Sequence, residues 1–206
     1  MNILALTVGL LGENCYLVWN EPEHAAVIDP GAEAQHILNS LQKNGLHAEA
    51  ILLTHGHFDH IGAVAELKEQ TGARVFAPEE DAELLTDPTK NLSGEMGINI
   101  QPFEADRLLR DGDRFEVGSM KFEFLHTPGH TKGSGVYRVE DVLFTGDTLF
   151  AGSMGRTDFY GGDFRAMEQS LSRLAGLEGD FRVLCGHGEA TTLEQERRSN
   201  PFLRVD

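Results

Sequence analysis

Apolar residues in the first hundred positions follow two alternating patterns, short continuous runs and helical spacing. The runs 25–29 (AAVID), 50–53 (AILL) and 74–77 (RVFA) predict buried strands. Between these runs, apolar residues three and four positions apart predict helices over 33–44 and 61–71, each followed by a glycine. This half of the chain therefore alternates strand and helix.

The centre of the chain is different, because its apolar residues recur at every second position. Residues 114–126 predict a β-hairpin with a Gly-Ser turn, and residues 134–146 predict another that turns near 140–141. A helix over 164–175 and a strand over 181–185 are expected to follow.

This mixture of helix-linked strands and plain hairpins predicts an α/β (α+β) fold in which two sheets pack together with helices outside. The sequence shows no repeat, linker or low-complexity segment, so a single domain spanning residues 1–206 is expected. Near the C-terminus, Thr191 and Glu194 match a capping box at the start of a last helix.

Composition and charge narrow the range of partners. The chain of 206 residues has a formal net charge of -16 and no local basic patch. Such a surface repels phosphate backbones, so nucleic acid is not expected as a partner. No apolar run has the length of a membrane span, so no membrane partner is expected, and the N-terminus lacks the features of a signal peptide. Two cysteines make no disulfide framework, so the default expectation is a cytoplasmic location.

A histidine cluster follows the second predicted strand, where residues 54–60 read THGHFDH. In an extended segment, residues two apart face the same way, so His55 and His57 can be directed at one point. Asp59 and His60 would follow at the start of the next helix. Imidazole and carboxylate are ready ligands for borderline metals such as Zn²⁺. A polar loop with solvated histidines is the alternative, and it fits a cluster this dense less well.

Three more segments place a candidate ligand where an apolar strand meets a glycine-rich turn. They contain His130 (LHTPGH), Asp147 (LFTGD) and His187 (LCGHG). Ligands on loops at strand ends can converge at one edge of a sheet scaffold. The seven candidates exceed the four ligands of one tetrahedral ion, and they suit two ions that share a bridging carboxylate.

The order of these segments, T-H-x-H-x-D-H, then P-G-H, then T-G-D and a final G-H, is similar to that of the metallo-β-lactamase superfamily. The resemblance extends from about residue 15 to residue 203. It implies a four-layer αββα sandwich and two metal sites that share a bridging carboxylate. The implied ligands are His55, His57 and His130 in one site, Asp59, His60 and His187 in the other, and Asp147 as the bridge.

Within the superfamily, the stretches GRTDF and GHGEATTLEQERRSNPFL resemble the glyoxalase II branch of hydroxyacylglutathione hydrolases. Better known members carry an additional helical domain that supplies much of the glutathione contact. This chain ends soon after NPFL and resembles a short form of the family. Arg156 in GRTDF falls where the family has a basic substrate-contacting residue. The resemblance implies a small-molecule thioester, a glutathione conjugate, as the binding partner.

The activity that this resemblance implies is hydrolysis of S-(2-hydroxyacyl)glutathione by a hydroxide that bridges two divalent metal ions. Zn²⁺ is the expected metal, with Fe or Mn as alternatives. A thiolate leaves readily because its pKa is only about 8.5–9, so no strong general acid is required. The metals, Asp59, Asp147 and the hydroxide together carry a charge of about +1, which favours an anionic substrate. Asp59 could also transfer a proton after it loosens from the metal.

Metal-bound histidines usually need an acceptor that holds the other ring nitrogen. Asp29, at the end of AAVID, matches an acidic residue that this superfamily places near the metal loop, and it is expected to have this role. A turn cap before Pro30 is the alternative for this residue.

Other activities occur on related centres. Persulfide dioxygenases share the fold and most of these ligands, but they use one Fe²⁺ held by two histidines and one aspartate, here His55, His130 or His57, and Asp147. Lactone and β-lactam hydrolysis are further alternatives. A flavin-linked di-iron reductase is disfavoured, because His57 stands where those proteins place a glutamate. The C-terminal stretch favours the hydrolase.

Overall fold

Two six-stranded sheets lie face to face in the computed structural model, which describes residues 1–203. In spatial order, the first sheet contains β1 (Asn2–Val8), β2 (Glu13–Trp19), β3 (Ala25–Ile28), β4 (Ala48–Leu52), β5 (Arg74–Pro78) and β6 (Arg107–Leu109). The second contains β14 (Thr191–Thr192), β13 (Arg182–Cys185), β10 (Val142–Gly146), β9 (Gly135–Val139), β8 (Met120–His126) and β7 (Arg114–Val117). A separate small hairpin consists of β11 (Leu149–Phe150) and β12 (Ser153–Met154).

Aromatic side chains fill the space between the sheets. Phe115 stacks on Phe76 of the first sheet, with ring centroids 4.7 Å apart, and on Phe122 of the second, 5.6 Å away. Tyr137 is fully buried and donates its hydroxyl to the carbonyl of Leu53 at 2.8 Å. The inward positions of both sheets therefore form one apolar layer, as the alternating pattern predicts.

Helices cover the outer face of each sheet. The first sheet is covered by α1 (Ala34–Lys43) and α3 (Val64–Thr71), and the second by α4 (Phe164–Ala175) and α5 (Leu193–Ser199). The short helix α2 (Phe58–Ile61) and a 3₁₀ helix over Glu79–Leu85 lie beside them in the chain. The four-layer αββα sandwich is thus confirmed. Within residues 1–203, no helix is both long and apolar enough to cross a membrane.

Two local predictions were wrong. The helix expected over 61–71 is broken after α2, where Gly62 approaches the backbone of Gly31 so closely that a Cβ would lie 2.3 Å from the Gly31 carbonyl oxygen. The last helix is capped by Thr192, whose hydroxyl accepts from the Gln195 amide, and not by Thr191.

Strand direction brings the candidate ligands to one edge of the sandwich. In the first sheet β3 runs parallel to β4, and in the second β10 runs parallel to β13. Because β8 and β10 are both antiparallel to β9, β8 has the same direction as β10. The C-terminal ends of the strands that precede the histidine cluster, His130, Asp147 and His187 therefore meet at the same edge.

Candidate metal centre

Three histidines on two loops form the first group, which comprises His55, His57 and His130. Their ligand atoms all lie within 4.8 Å of one another. His57 Nδ1 lies 2.9 Å from His130 Nε2, although β4 and β8 belong to different sheets. All three side chains are buried. The extended backbone of residues 54–57, at the end of β4, directs the two cluster histidines to the same side, as the sequence predicts.

The second group comprises Asp59, His60 and His187, and its ligand atoms also lie within 4.8 Å of one another. His187 Nε2 lies 3.2 Å from Asp59 Oδ2, and His60 Nε2 lies 3.9 Å from the same oxygen. Two of these residues come from α2, and the third follows β13. A short helix is thus placed against the loop that follows a strand of the other sheet.

Asp147 contacts both groups through different oxygens. Its Oδ1 lies 3.3 Å from His60 Nε2, and its Oδ2 lies 3.5 Å from His130 Nε2 and 3.7 Å from His187 Nε2. The loop after β13 can approach this closely only because residue 186 is glycine, since a Cβ there would lie 2.4 Å from Asp147 Oδ1. All seven predicted ligands therefore converge on one place, and their metal-binding roles stay predictions.

Hydrogen bonds to the far side of the rings leave the inner nitrogens free to bind a cation. His130 Nδ1 donates to the carbonyl of Arg156 at 2.7 Å, and His60 Nδ1 donates to Asp29 Oδ2 at 3.0 Å. Thr54 gives its hydroxyl proton to Asp29, so the His55 Nδ1, 3.1 Å away, is the donor to Thr54. The Nε2 atoms of all three rings then carry lone pairs.

Buried polar atoms without a hydrogen-bond partner indicate where a cation would fit. Among the described residues, His55 Nε2, His57 Nε2, His60 Nε2 and Asp147 Oδ1 are buried and lack a hydrogen-bond partner. Orphaned acceptors of this kind are costly to bury, and a bound ion is one of the few things that explains them. Imidazole with carboxylate is a donor set that suits Zn²⁺ and Fe²⁺. The chain's own groups therefore fit divalent metals.

The two groups differ in their affinity for protons. Burial lowers the pKa of His55 and brings that of His57 to about 3, with neighbouring histidines adding to both shifts. Burial also opposes protonation of His60, but the carboxylates of Asp147, Asp59 and Asp29 outweigh it and raise the pKa. Burial alone would raise the pKa of Asp147, yet the histidines around it hold that pKa well below its usual value. These shifts favour the neutral forms of His55 and His57 and the ionised form of Asp147.

Asp29 is held in an unusual backbone conformation directly below the centre. Its φ is 48°, in the left-handed region that a residue with a Cβ rarely adopts. Its carboxylate accepts from the Thr54 amide at 2.7 Å, from the Thr54 hydroxyl at 2.6 Å and from His60. Strain of this kind persists where surrounding contacts enforce it, often at functional sites. The Asp29 carboxylate thus contacts the histidine cluster through Thr54 and His60, and its role in orienting metal ligands stays a prediction.

Glu13 is a buried carboxyl that the sequence analysis did not single out. Its Oε1 lies 3.8 Å from His60 Nδ1, and within residues 1–203 neither of its oxygens has a hydrogen-bond partner. Burial raises the pKa of Glu13 well above its usual value, although His60 acts in the opposite direction.

A cavity of about 460 Å³ opens over the two groups. Its apolar walls come from four segments of the chain and consist of Leu11, Phe58, Leu92, Met96, Phe150, Met154 and Phe159. Asp59, Asp147, Arg156 and the rings of three candidate ligands supply polar surface at its base and rim. Phe159 packs edge-on to His57, with ring centroids 5.6 Å apart. An apolar cavity with a few convergent polar groups is typical of a small-molecule site.

Arg156 lies on the rim of this cavity, where the sequence places a substrate-contacting residue. Its guanidinium donates to both oxygens of Asp158 at 2.9 and 2.8 Å and lies 4.2 Å from the Phe159 ring centroid. The side chain is 64% exposed, so water screens the ion pair with Asp158. The guanidinium is therefore positioned at the mouth and remains open to a second anionic partner.

Both cysteines and His126 lie outside the two ligand groups. Cys15 and Cys185 are buried, and the Cys185 thiol faces the carbonyls of His187 and Glu189. His126 contacts the Lys132 carbonyl at 2.8 Å and belongs to neither group. These residues have structural partners that account for them.

Two supporting residues could not have been found from the sequence. Asn14 donates to the carbonyls of Cys185 and Gly188 at 3.1 and 3.0 Å and so holds the loop that carries His187. Asp81, fully buried at the start of the 3₁₀ helix, accepts from the loops of the first group. Neither stands in a motif, and both partners are distant in the chain.

The family model of the Metallo-beta-lactamase superfamily matches residues 8–187. Over 208 residues the chain is 38% identical to hydroxyacylglutathione hydrolase GloC of Haemophilus influenzae, with 98% of each protein covered.

Similar solved structures cover nearly the whole chain. The B3 metallo-beta-lactamase BLEG-1 has a TM-score of 0.94 at 37% identity, covering 99% of this chain and 100% of that one. TTHA1623, in a di-iron-bound form, has a TM-score of 0.87 at 41% identity, with 97% and 100% covered. ETHE1 from Myxococcus xanthus has a TM-score of 0.83 at 31% identity, with 98% and 84% covered.

Proposed function

The chain belongs to the metallo-beta-lactamase superfamily, and from that premise we propose that it hydrolyses S-(2-hydroxyacyl)glutathione thioesters at a centre of two divalent metal ions. The observation that carries the proposal is the position of Asp147, which contacts two separate ligand groups with different oxygens. The similarity to a hydroxyacylglutathione hydrolase over 98% of both chains supports the choice of substrate.

The ligand set supports hydrolysis of the thioester without a side-chain nucleophile. When bound, two divalent cations supply a hydroxide at neutral pH and a Lewis acid for the carbonyl. Asp147 would be a ligand in both sites, and Asp29 keeps His60 in the tautomer whose Nε2 faces the centre. We expect Zn²⁺, and the di-iron form of TTHA1623 makes iron the first alternative.

Asp59 is positioned to accept and donate a proton. Its side chain is 14% exposed and lines the cavity, with Oδ2 3.2 Å from His187 Nε2. Burial would raise the pKa of Asp59, but His60 and His187 lower it below its usual value. Asp59 is therefore an ionised carboxylate beside the reacting groups, and it can carry the proton of the newly formed carboxylic acid to the leaving thiolate.

The walls and the rim of the cavity contribute to substrate recognition in different ways. The apolar side chains of the cavity wall exclude water from the thioester. Excluding water strengthens the polar interactions at the base of the cavity. A charge of about +1 at the centre was expected to attract an anionic substrate. Asp29, buried and hydrogen-bonded to His60, adds a negative charge that removes this excess. Attraction of a glutathione carboxylate therefore depends on Arg156.

Three assays on one preparation test this function. Protein purified without added metal is analysed for metal content and then assayed for S-lactoylglutathione hydrolysis, hydrolysis of a chromogenic β-lactam, and O₂ uptake with glutathione persulfide. Asp147→Ala, purified in the same way, controls for contaminating enzymes, and Asp141→Ala at an exposed turn controls for the substitution itself. We expect about two metals per chain and thioester hydrolysis that is lost only in Asp147→Ala.

Two of the similar structures point to alternative activities that the assays would reveal. The likeness to ETHE1 supports a persulfide dioxygenase as the second candidate, and the likeness to BLEG-1 supports hydrolysis of a β-lactam on the same centre. One iron per chain with O₂ uptake and intact thioester would replace the proposal with the first. Turnover of the β-lactam alone would replace it with the second.

A further inference from the structure

One buried carboxylate, that of Asp81, joins the two loops that carry the first group. Asp81 is fully buried in the 3₁₀ helix over Glu79–Leu85. It accepts hydrogen bonds from the Gly56 amide at 2.9 Å, the Gly133 amide at 2.7 Å and the Thr131 hydroxyl at 2.7 Å. Each donor lies within three residues of a histidine of the first group.

The two loops come from different sheets, so no strand pairing sets their separation. Gly56 lies between His55 and His57 after β4, whereas Thr131 follows His130 after β8. At Gly133 the chain passes so close to Asp81 that a Cβ would lie 2.6 Å from the Asp81 amide nitrogen. Asp81 therefore fastens both loops to a third segment of the fold, in addition to the backbone hydrogen bond from the Gly135 amide to the Thr54 carbonyl at 2.9 Å.

Asp29 supports the centre in a different way. It contacts His60 of the second group directly, and it contacts Thr54, whose hydroxyl accepts from His55 of the first group. Asp81 contacts no imidazole, and none of its described hydrogen-bond partners belongs to the second group. Removing Asp29 should thus affect both groups, whereas removing Asp81 should affect one.

We propose that Asp81 is a positioning residue that sets the spacing of the first group and thereby controls metal affinity at that site alone. His57 Nδ1 and His130 Nε2 face each other at 2.9 Å, and the tether from Asp81 keeps the loops from separating. A preformed ligand set avoids the cost of ordering the loops when the ion binds. The inference rests on metal binding at the proposed centre and not on the reaction catalysed there.

Asp81→Asn is the informative substitution, because asparagine keeps the shape but replaces one acceptor oxygen with an NH₂ group. Whichever way the amide is oriented, at least one of the three donors then faces another donor. Glu196→Gln is a matched control. Glu196 is equally a buried carboxylate that accepts an amide and a hydroxyl, from Gly152 and Thr191, but these lie outside the metal loops.

Zn²⁺ titration of metal-free protein against a chromophoric chelator measures the two dissociation constants. His57→Ala, which disables the first site, and His187→Ala, which disables the second, assign each constant to its site. We expect Asp81→Asn to weaken the first site about 10–100-fold and to leave the second within about 3-fold. Asp29→Asn should weaken both, and Glu196→Gln neither.

Amide hydrogen exchange in the metal-free protein gives a readout without metal or substrate. Faster exchange at Gly56 and Gly133 in Asp81→Asn, with little change in α4, is expected. If Asp81→Asn does not fold, Thr131→Val removes one of the three bonds and should weaken the first site by a smaller factor. Equal weakening of both sites, or no weakening of either, would overturn the proposal, and neither result depends on which substrate the enzyme uses.

Discussion

The Oδ1 atom of Asp147 lies 3.3 Å from Nε2 of His60, and this contact ties a residue at the end of β10 to one in α2. The other oxygen of Asp147 faces His130 and His187. Asp59, by contrast, faces only the second group. The two carboxylates of the centre are therefore not equivalent, and their removal should have different consequences.

We expect Asp147→Ala to lose both metals and at least about 10³-fold in kcat/KM, because one carboxylate contacts both ligand groups. Asp59→Ala should lose mainly the metal of the second group and retain more activity. Metal analysis after gel filtration, together with kcat/KM for the thioester, measures the difference. Asp141→Ala provides the control at an exposed turn.

Loss of the same number of metals in the two variants would contradict the bridging role of Asp147. The reverse order, with Asp59→Ala losing more metal than Asp147→Ala, would contradict it as well.

Acid should release the metal of the second group first. A ligand must lose its proton before it binds a metal. Burial opposes protonation of His60, but Asp147 and the other nearby carboxylates raise its pKa, whereas burial and His130 lower the pKa of His57 to about 3. Protons therefore compete with metal at His60 of the second group as the pH falls, and they compete at His57 of the first group only at a much lower pH.

Equilibrium dialysis of His57→Ala and His187→Ala, each of which keeps one site, tests this order. Metal content measured at about pH 7, 6 and 5 should fall earlier in His57→Ala, which retains the second group. If His187→Ala releases its metal at the higher pH, the assigned order is wrong.

Arg156→Ala should raise KM about 3–10-fold and change kcat less than about 2-fold, as expected for lost uniform binding. The guanidinium is exposed and shared with Asp158, so its contribution is moderate. The backbone carbonyl that accepts from His130 is unchanged by this substitution. Arg165→Ala, on the exposed face of α4, is the matched control. A large fall in kcat with constant KM would instead place Arg156 in the chemical step.

The wall of the cavity is fastened to the C-terminal segment. Asn200 is fully buried and donates to the carbonyls of Phe150 and Ser153 at 3.3 and 3.0 Å, and to Glu196 at 2.8 Å. Glu196 in turn accepts from the Gly152 amide at 2.8 Å. Helix α5 and the residue after it therefore hold the β11–β12 hairpin, which carries part of the apolar wall.

Asn200→Ala should lower the free energy of unfolding by about 1–3 kcal/mol, because buried acceptors lose their donor. It should also raise KM while both metals remain bound, since the ligands are untouched. Thermal unfolding, metal analysis and steady-state kinetics measure these effects. Gln195→Ala, on the exposed side of α5, is the control. Loss of metal in Asn200→Ala would show that this segment supports the centre and not the wall.

Local patterns in the sequence predicted much of the fold, because period-2 and helical spacing report which face of an element is buried. The hairpins over 114–126 and 134–146 form as expected, α4 ends at the predicted Gly176, and α1 ends at Lys43, two residues before Gly45. The capping box was misplaced by one residue, since Thr191 and Thr192 are both suitable caps. Both threonines pair with β13, Thr191 with Val183 and Thr192 with Arg182, and the helix begins after the second.

The candidate ligands were also identified from the sequence, because each follows an apolar strand and the strands share a direction. His55 and His57 face one point for a purely local reason, their spacing in extended backbone. The link between Asp29 and His60 was expected only from the family resemblance, and its hydrogen bond is visible only in the structure.

The contacts of residues that lie outside any local sequence pattern depend on the tertiary structure alone. Asp81 lies 25 positions from Gly56 and 52 from Gly133, and Glu13 reaches the centre because β2 pairs beside β3. Asp147 contacts two groups only because β10 and β4 lie in sheets that pack face to face. The order of amino acids specifies which residue types lie at the ends of strands. Sheet order and packing decided which of them touch, since such contacts join segments that no short-range periodicity relates.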